Sequence, residues 1–161
     1  MRTSLVFLLG VLLGSAVAPG LAQGNRLPGM NYVNHVAISV ANFDEALTFY
    51  TQKMGFREAF VIRDDKGQPR LAYVQANRNT FVELQPANAN RPPGLNHYGL
   101  HVEDLKATVA LLKQRGVTVE EPRAGQGDSS SANATDPNGV RIELFQFGSD
   151  SAQGKAIDSW K

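Results

Sequence analysis

Two stretches of the chain, residues 34–56 and 96–117, repeat one pattern of apolar and polar positions. Each opens on Asn-His within an alternating apolar run and continues through a short polar break. Each then closes with a segment of helical apolar spacing that ends at glycine. His35 and His97 hold the same place in the two copies, 62 residues apart. A repeat of this kind indicates one supersecondary unit that is present twice and packs against its own copy.

The periodicity of each copy predicts a strand, a helix and a set of hairpins. Asn42 with Glu45 resembles a helix capping box, and clusters of Asp, Asn and Gly mark the turns. In the first copy, strands are predicted at residues 32–40, 57–63, 70–76 and 80–85 around a helix at 43–54. In the second copy, strands are predicted at residues 96–102, 117–120, 132–135 and 140–147, with a helix at 105–115 and a small polar loop at 124–131.

A glutamate between apolar neighbours lies near the end of each copy, Glu83 in Val-Glu-Leu and Glu143 in Ile-Glu-Leu. Because alternate residues of a strand share a face, each glutamate and each repeated histidine points away from the apolar side of its strand. Burial of a carboxylate is costly unless it is paired or bound to a metal. We therefore expect His35, His97, Glu83 and Glu143 to meet in a trough on one face of a curved sheet, while the other face packs on the helices.

Three further side chains share that face. His101 follows His97 by four positions, so the two share a strand face, and His101 is a candidate substrate contact with a structural histidine as the alternative. Phe81 and Phe145 lie two positions from the glutamates and are candidate substrate contacts, with simple packing in the trough as the alternative.

The four repeated side chains are predicted to hold one divalent metal. Two neutral imidazoles and two carboxylates suit Zn, Ni, Co, Mn or Fe(II) and do not suit Ca or Mg. The chain has no cysteine, which excludes thiolate sites, disulfides and cysteine nucleophiles. Four protein ligands leave one or two positions for water or a chelating substrate, as is typical of a catalytic site.

Composition narrows the possible partners. With 16 basic and 15 acidic residues the net charge is +1. The chain therefore lacks the excess of basic residues that would indicate binding to nucleic acid or to anionic lipid. The 161 residues, 42% of them hydrophobic, are enough for one packed domain or two small halves with a shared core. The expected partner is a small-molecule substrate. The sequence leaves undecided whether the protein forms a homodimer and whether the site forms within one chain or across two.

The first residues carry the pattern of a secretory signal peptide. Arg2 precedes an apolar run at 5–17, and Gly-Leu-Ala at 20–22 fits a cleavage site. The alternative, an uncleaved anchor, needs a span of about 20 apolar residues. We expect cleavage after Ala22, a secreted or periplasmic mature protein, and no membrane contact after cleavage. The predicted segments are a signal peptide at 1–22, a lead-in at 23–30, a domain at 31–147 with modules 31–86 and 95–147 and a linker at 87–94, and a surface tail at 148–161.

The repeated motifs resemble the vicinal oxygen chelate superfamily, which includes glyoxalase I, methylmalonyl-CoA epimerase, extradiol dioxygenases and fosfomycin or bleomycin resistance proteins. The resemblance rests on NHVAISVANFDEALTFYTQKMGF, FVEL, NHYGLHVEDL and DPNGVRIEL and covers residues 32–147. It implies an α+β fold in which paired βαβββ modules form a half-open, cupped barrel of mixed sheet with the helices outside. The family's metal ligands fall on His35, Glu83, His97 and Glu143, which is the pattern of bacterial glyoxalase I (lactoylglutathione lyase).

This resemblance implies a metal-dependent lyase or isomerase that moves a proton on a substrate chelated through adjacent oxygens, with Glu143 or Glu83 as the catalytic base. The alternatives are an extradiol Fe(II) dioxygenase and a non-catalytic small-molecule-binding protein of the resistance type. Three segments depart from bacterial glyoxalase I. Ser39 replaces the arginine that holds the glutathione carboxylate, residues 85–88 replace an Asn-Trp-Gly-like segment, and residues 125–131 only loosely match its Lys-Gly-Gly-Thr loop.

Overall fold

The computed structural model describes residues 27 and 29–161. The predicted signal peptide and most of the lead-in lie outside these residues. In the part of the chain that is described, no helix is both long and apolar enough to cross a bilayer.

The first module contains strand β1, a short helix α1 and three further strands. Its elements are β1 Met30–Val40, α1 Phe43–Thr48, a π-helical segment Phe49–Lys53, β2 Arg57–Arg63, β3 Pro69–Asn77 and β4 Thr80–Pro86. The Asn42 side chain accepts a hydrogen bond from the Glu45 amide at 3.2 Å, as the capping pattern predicts. Gly55 follows the helical region at φ +72°, a conformation that costs glycine least.

The second module repeats this order. Its elements are β5 Gly94–Val102, α2 Leu105–Gln114, β6 Arg123–Ala124, β7 Ser129–Thr135 and β8 Arg141–Phe147. Asp104 caps α2, because its carboxylate accepts a hydrogen bond from the Ala107 amide at 2.9 Å.

Two predictions for the second module are wrong. Residues 117–120 form a single bridge, between Val119 and Ala134, and the short paired strand is β6. Strand β7 starts three residues before its predicted start, because Ser129 and Ser131 are buried in the sheet. Small polar side chains at inward positions hide the apolar alternation on which strand prediction depends.

All the strands form one mixed sheet in the order β2-β3-β4-β1-β5-β8-β7-β6. Strands β1 and β5 pair antiparallel at its centre, while β4 lies parallel to β1 and β8 lies parallel to β5. The two modules therefore meet along β1 and β5, and their equivalent strands flank that seam in the same way. The sheet curls into a half-barrel with α1 and α2 outside, which confirms the predicted α+β architecture.

Each helix covers the apolar face of its own module. Helix α1 packs Phe43 on Ala72 and Leu84 of the first module. Helix α2 packs through Leu105 and Val109 on a cluster that contains Val102, Ala132 and Leu144. The apolar positions beside the two glutamates thus face the helices, and the glutamates are left on the concave face.

The C-terminal segment is a helix, contrary to the expectation of a tail that only covers the surface. Helix α3 Ala152–Asp158 buries Ala156 against Leu71, Tyr73 and Phe81 on the concave side of the first module. Sequence periodicity missed it because its buried face also includes Gln153 and Gly154. Gly154 is required for close packing, since a Cβ there would overlap the carbonyl oxygens of Gly148 and Ser149.

Arg57 ties α3 to the sheet. Its guanidinium donates to the carbonyl oxygens of Ala156 at 2.6 Å and Ser159 at 3.0 Å, and lies 5.5 Å from the centroid of the Trp160 ring. It also donates to the buried Gln75 side chain at 3.0 Å.

We expect Arg57→Ala to lower the free energy of unfolding by about 2 kcal/mol, because charge-assisted hydrogen bonds to two backbone carbonyls and to Gln75 are lost. Urea unfolding of the full chain measures the change. Arg78→Ala, which removes an exposed arginine from the turn before β4, is the matched control and is expected to stay within about 0.5 kcal/mol of the wild type. Equal midpoints for the two variants would show that Arg57 does not anchor the helix.

Candidate metal centre

The four central strands bring the repeated histidines and glutamates to one point on the concave face. His35 lies on β1, Glu83 on β4, His97 on β5 and Glu143 on β8. All four come from the same chain, so the site does not require a second copy.

Small residues between the four side chains make the convergence possible. Ala37 is in register with both Glu83 and His97, and Gly99 is in register with both His35 and Glu143. A Cβ on Gly99 would overlap the His35 ring, so only glycine leaves room for that ring in its present place.

The distances among the four donor atoms are short and similar. His35 Nε2 lies 3.2 Å from His97 Nε2, 3.4 Å from Glu83 Oε2 and 3.3 Å from Glu143 Oε2. His97 Nε2 lies 3.6 Å and 3.7 Å from the same two oxygens. All four atoms lie within 4.8 Å of one another. An ion bound at about 2.1 Å separates adjacent ligand atoms by about 3.4 Å in tetrahedral geometry or about 3.0 Å in octahedral geometry. The cluster therefore has the size of a single-ion site.

The chemistry of the donor set also fits a cation. Each histidine is hydrogen-bonded through Nδ1 to the side-chain oxygen of the asparagine before it, at 3.0 Å for Asn34 and 2.9 Å for Asn96. With that proton on Nδ1, each Nε2 presents a lone pair. Two lone pairs and two carboxylates then face one point in a nearly dry environment, since His35, Glu83 and His97 are at most 3% exposed. A divalent ion at that point would offset the buried negative charge.

Asn96 is itself held in place. Its amide nitrogen donates to Ser39 Oγ at 3.1 Å, which turns its oxygen toward His97. Ser39 is 2% exposed. The serine that stands where bacterial glyoxalase I has an arginine thus supports a histidine of the cluster through Asn96.

Arg141 contacts the same pair, with Nη2 close to both Asn96 Oδ1 and His97 Nδ1. The amide oxygen can accept from the guanidinium and from the imidazole together, because it has two lone pairs. The ring nitrogen can accept from Arg141 only when the ring proton is on Nε2. The position of Arg141 is therefore coupled to the tautomer of His97.

Glu83 is held through both of its oxygens. The Tyr73 hydroxyl donates to Oε2 at 3.1 Å, and the Gln85 amide donates to Oε1. Burial, and then the charges of Glu83 and Glu143, hold the pKa of Tyr73 well above its usual value. The phenol therefore stays a hydrogen-bond donor. Helix α3 supports this arrangement, because its Ala156 packs in the same cluster as Tyr73.

Glu143 is less restrained. Its Oε2 faces the two histidines, while the only described group that forms an ion pair with Oε1 is the Arg123 guanidinium, at 3.8 Å. Burial alone would raise the pKa of this carboxyl, but hydrogen bonds and charge from His35 and His97 outweigh burial and hold it well below its usual range. A positive charge at this point, whether proton or metal ion, keeps Glu143 ionised.

The cluster opens into a cavity of about 380 Å³. Most of the residues that line it are polar or charged: Arg70, Tyr73, Glu83, Gln85, Arg91, His97, Arg123, Gln126, Ser129, Ser131, Arg141 and Glu143. His97, Glu83 and Glu143 are therefore accessible from the cavity, and His35 closes the cluster from behind.

The three candidate substrate contacts lie in different places. Phe145 lines the cavity and packs edge-on against the His35 ring, with ring centroids 5.3 Å apart. Phe81 is fully buried beside Tyr73, and His101 stacks between Tyr32 and Phe147, with centroids 5.2 Å and 4.6 Å away. Neither Phe81 nor His101 is among the residues that line the cavity, which favours the packing alternative for both.

Sequence reasoning missed the side chains that hold the cluster in place. It assigned no role to Asn34, Asn96 or Tyr73, or to the arginines of the cavity. One signal was present, because an asparagine precedes the histidine in both copies of the repeat. The contacts of Tyr73 and Arg141 depend on strand pairing and side-chain direction, for which the linear sequence has no marker.

We expect Gly99→Ala to weaken metal binding at least tenfold, because the added methyl group displaces the His35 ring; second-shell disturbances of this kind typically cost about 10- to 100-fold. Titration of the metal-free protein with Zn(II) or Ni(II) measures the affinity. Gly148→Ala, at a position with open space around the new Cβ, is the control. Unchanged affinity in Gly99→Ala would mean that His35 is not a ligand.

We also expect Asn34→Ala and Asn96→Ala each to lower metal affinity by about 10- to 100-fold, since the Nδ1 partner fixes the ring and its tautomer. The exposed Asn90→Ala is the control. NMR of the histidine side-chain nitrogens gives a second readout, because loss of the partner is predicted to mix the two tautomers. A single Nδ1–H tautomer in both variants would contradict this role.

Comparison with known proteins agrees with the fold. Residues 32–144 match the Glyoxalase/Bleomycin resistance protein/Dioxygenase superfamily. A probable lactoylglutathione lyase of Vibrio cholerae is 26% identical over 123 residues, which cover 70% of this chain and 88% of that protein. A probable chloroplastic lactoylglutathione lyase of Arabidopsis thaliana is 28% identical over 123 residues, 71% of this chain but only 35% of that protein.

Solved structures show the same architecture. Methylmalonyl-CoA epimerase from Mycobacterium tuberculosis superimposes with a TM-score of 0.66 at 24% identity, over 74% of this chain and 90% of that one. At this identity the structural likeness shows the fold alone. The family is shown by the match to residues 32–144, which are most of the described residues. The chain belongs to the Glyoxalase/Bleomycin resistance protein/Dioxygenase superfamily.

Proposed function

We propose that this protein is a divalent-metal-dependent lyase or isomerase of the glyoxalase I type, which moves a proton on a substrate held through adjacent oxygens. The observation that carries the proposal is the four-donor cluster at the base of a polar cavity. His35, Glu83, His97 and Glu143 would hold one Zn, Ni, Co, Mn or Fe ion. Such an ion supplies Lewis-acid polarisation of two neighbouring substrate oxygens.

Glu143 is the better candidate for the catalytic base. Glu83 accepts a hydrogen bond from Tyr73 at Oε2 and from Gln85 at Oε1, whereas none of the described residues donates a hydrogen bond to Glu143 Oε1. Glu143 also lines the cavity, and a glutamate is a carboxylate at neutral pH. It would take a proton from the carbon beside a polarised carbonyl.

The electrons balance without an oxidant or a reductant. The pair of the broken C–H bond forms a carbon–carbon double bond, and the carbonyl π pair moves onto oxygen. Return of the proton from Glu143 to the neighbouring carbon completes an isomerisation when the hydroxyl proton of the first carbon passes to the alkoxide and that hydroxyl oxygen becomes the new carbonyl. An epimerisation would need a second group to deliver a proton to the first carbon from the opposite face. General acid–base catalysis of this kind contributes about 10²- to 10⁴-fold to a rate.

The position of Glu83 bears on the alternatives. Extradiol dioxygenases of this family use two histidines and one glutamate, but here Glu83 Oε2 lies 3.4 Å and 3.6 Å from the two histidine nitrogens. The closeness of Glu83 to both histidines supports a site with four ligands, and therefore a lyase or isomerase. The polar lining of the cavity argues against a protein that only sequesters a hydrophobic compound.

The proposal does not assign the thiol that forms part of the substrate. Ser39 is buried and engaged with Asn96, so it offers no substitute for an arginine that would hold a glutathione carboxylate. We also propose, on the pattern of residues 1–22, that the mature protein is exported, and glutathione is mainly a cytosolic thiol. The names of the relatives make hemithioacetals and methylmalonyl thioesters the first substrates to test.

A proton-exchange assay in deuterium oxide tests the proposal on hemithioacetals, methylmalonyl thioesters and catechols. We expect metal-dependent exchange of a carbon-bound hydrogen in one of the first two classes, and no oxygen uptake with catechols. With metal present in excess, Glu143→Gln is predicted to lower exchange by about 10²-fold or more. Glu83→Gln is predicted mainly to weaken metal binding.

Glu58→Gln, an exposed carboxylate on β2, is the matched control and is predicted to keep full metal binding and exchange. Oxygen consumption with a catechol in the Fe(II)-loaded protein would overturn the proposal in favour of a dioxygenase. Full exchange in metal-saturated Glu143→Gln would remove Glu143 as the base.

A further inference from the structure

Four arginines surround the cavity above the cluster, and they come from both modules. Arg70 lies on β3, Arg91 on the linker between the modules, Arg123 on β6 and Arg141 on β8. We propose that these arginines form a subsite for an anionic group on the substrate, a carboxylate or a phosphoryl or phosphonyl group, in addition to the oxygen pair. The inference rests on the proposed function and specifies its substrate class.

The charge of the cavity supports this. Its lining includes four arginines against the two carboxylates of Glu83 and Glu143, and no lysine or aspartate. A divalent ion in the cluster would neutralise those two carboxylates. Among the described residues, the acidic partner that the four arginines would still have is Glu120, which pairs with Arg123 at 3.3 Å. The whole chain has a net charge of only +1. Positive charge is therefore concentrated at this cavity, and a cleft of one sign attracts ligands of the opposite sign.

Two of the guanidinium groups are available to a ligand. Arg70 is exposed and forms no hydrogen bond or ion pair with another described residue. Arg91 donates through Nη2 to the Pro86 carbonyl at 2.8 Å, which fixes the side chain, but its buried Nε has no partner among the described residues. A buried donor without a partner is costly, and a ligand oxygen would satisfy it.

Arginine is also the appropriate side chain for this group. Its planar fork of donors matches the two oxygens of a carboxylate or of a phosphoryl group. The remaining lining is mostly amide and hydroxyl, from Gln85, Gln126, Ser129 and Ser131. The substrate inferred from this lining is a compact, hydrophilic anion with a chelating oxygen pair at one end.

Three hydroxamates test the inference on the metal-loaded full chain. Acetohydroxamate presents only a chelating oxygen pair, succinic monohydroxamate adds a carboxylate, and phosphonoacetohydroxamate adds a phosphonate. We expect at least one charged probe to bind about tenfold more tightly than acetohydroxamate by calorimetry, the gain of one charge-assisted hydrogen-bond pair. The difference between the two charged probes assigns the group as carboxylate or phosphonate. The gain is predicted to shrink as ionic strength rises.

Arg70→Gln and Arg91→Gln are the test variants. Each is expected to remove most of the gain for the charged probe and to leave the affinity for acetohydroxamate and the metal content unchanged. Arg63→Gln, an exposed arginine on β2 outside the cavity, is the control. Urea unfolding checks that Arg91→Gln is folded. Arg70→Gln removes no side-chain hydrogen bond or ion pair with another described residue, so the result for this variant decides the test even if Arg91→Gln is destabilised.

Equal affinities of the wild type for all three probes would overturn the inference, and so would a gain that both arginine variants retain. Failure of the proposed function has a different signature. If the protein binds no metal but still binds a charged probe in a manner that depends on Arg70, the anion subsite stands and the metal chemistry falls. If no probe binds with or without metal, both fail.

Discussion

The concave face of this protein is organised by one electrostatic constraint. Two carboxylates and two imidazole nitrogens converge within 4.8 Å in a nearly dry environment. Such a cluster is unfavourable unless a cation sits among the donor atoms. Much of the surrounding structure limits the freedom of the four side chains. Gly99 leaves space for the His35 ring, two asparagines fix the imidazoles, and Tyr73 holds Glu83.

The duplication of the module explains how a short chain builds such a site. Because β1 and β5 pair antiparallel at the centre and β4 and β8 flank them in parallel, equivalent residues of the two copies face each other across the seam. Each module contributes one histidine and one glutamate. The modules differ at the cavity, since Tyr73 and Gln85 both donate hydrogen bonds to Glu83, while no described residue donates a hydrogen bond to Glu143 Oε1. This asymmetry separates a structural ligand from a candidate base.

The fold and the four candidate ligands were predictable from the sequence, because both depend on periodicity and repetition. Alternation placed His35 and Glu83 opposite the apolar residues, and the repeat supplied their partners. The supporting contacts were not predictable. Arg141 approaches His97 only because β8 pairs with β5. The first three residues of β7 were not predicted as strand, because its buried serines interrupt the apolar alternation. Helix α3 escaped prediction because Gln153 and Gly154 are buried at positions where an apolar stripe is normally expected.

The proposed anion subsite connects the candidate metal site to a class of substrate. A neutralised metal cluster at the base and guanidinium groups around it would orient a small anion with its oxygen pair toward His97 and Glu143.

The central claim is that the four side chains bind one metal ion. Elemental analysis of the purified wild-type protein and of the His97→Ala variant tests this claim most directly. The account predicts one divalent ion per wild-type chain and almost none in the variant. A metal-free wild type that gains no ion on exposure to Zn, Ni, Co, Mn or Fe(II), or a variant that keeps its full complement, would contradict it.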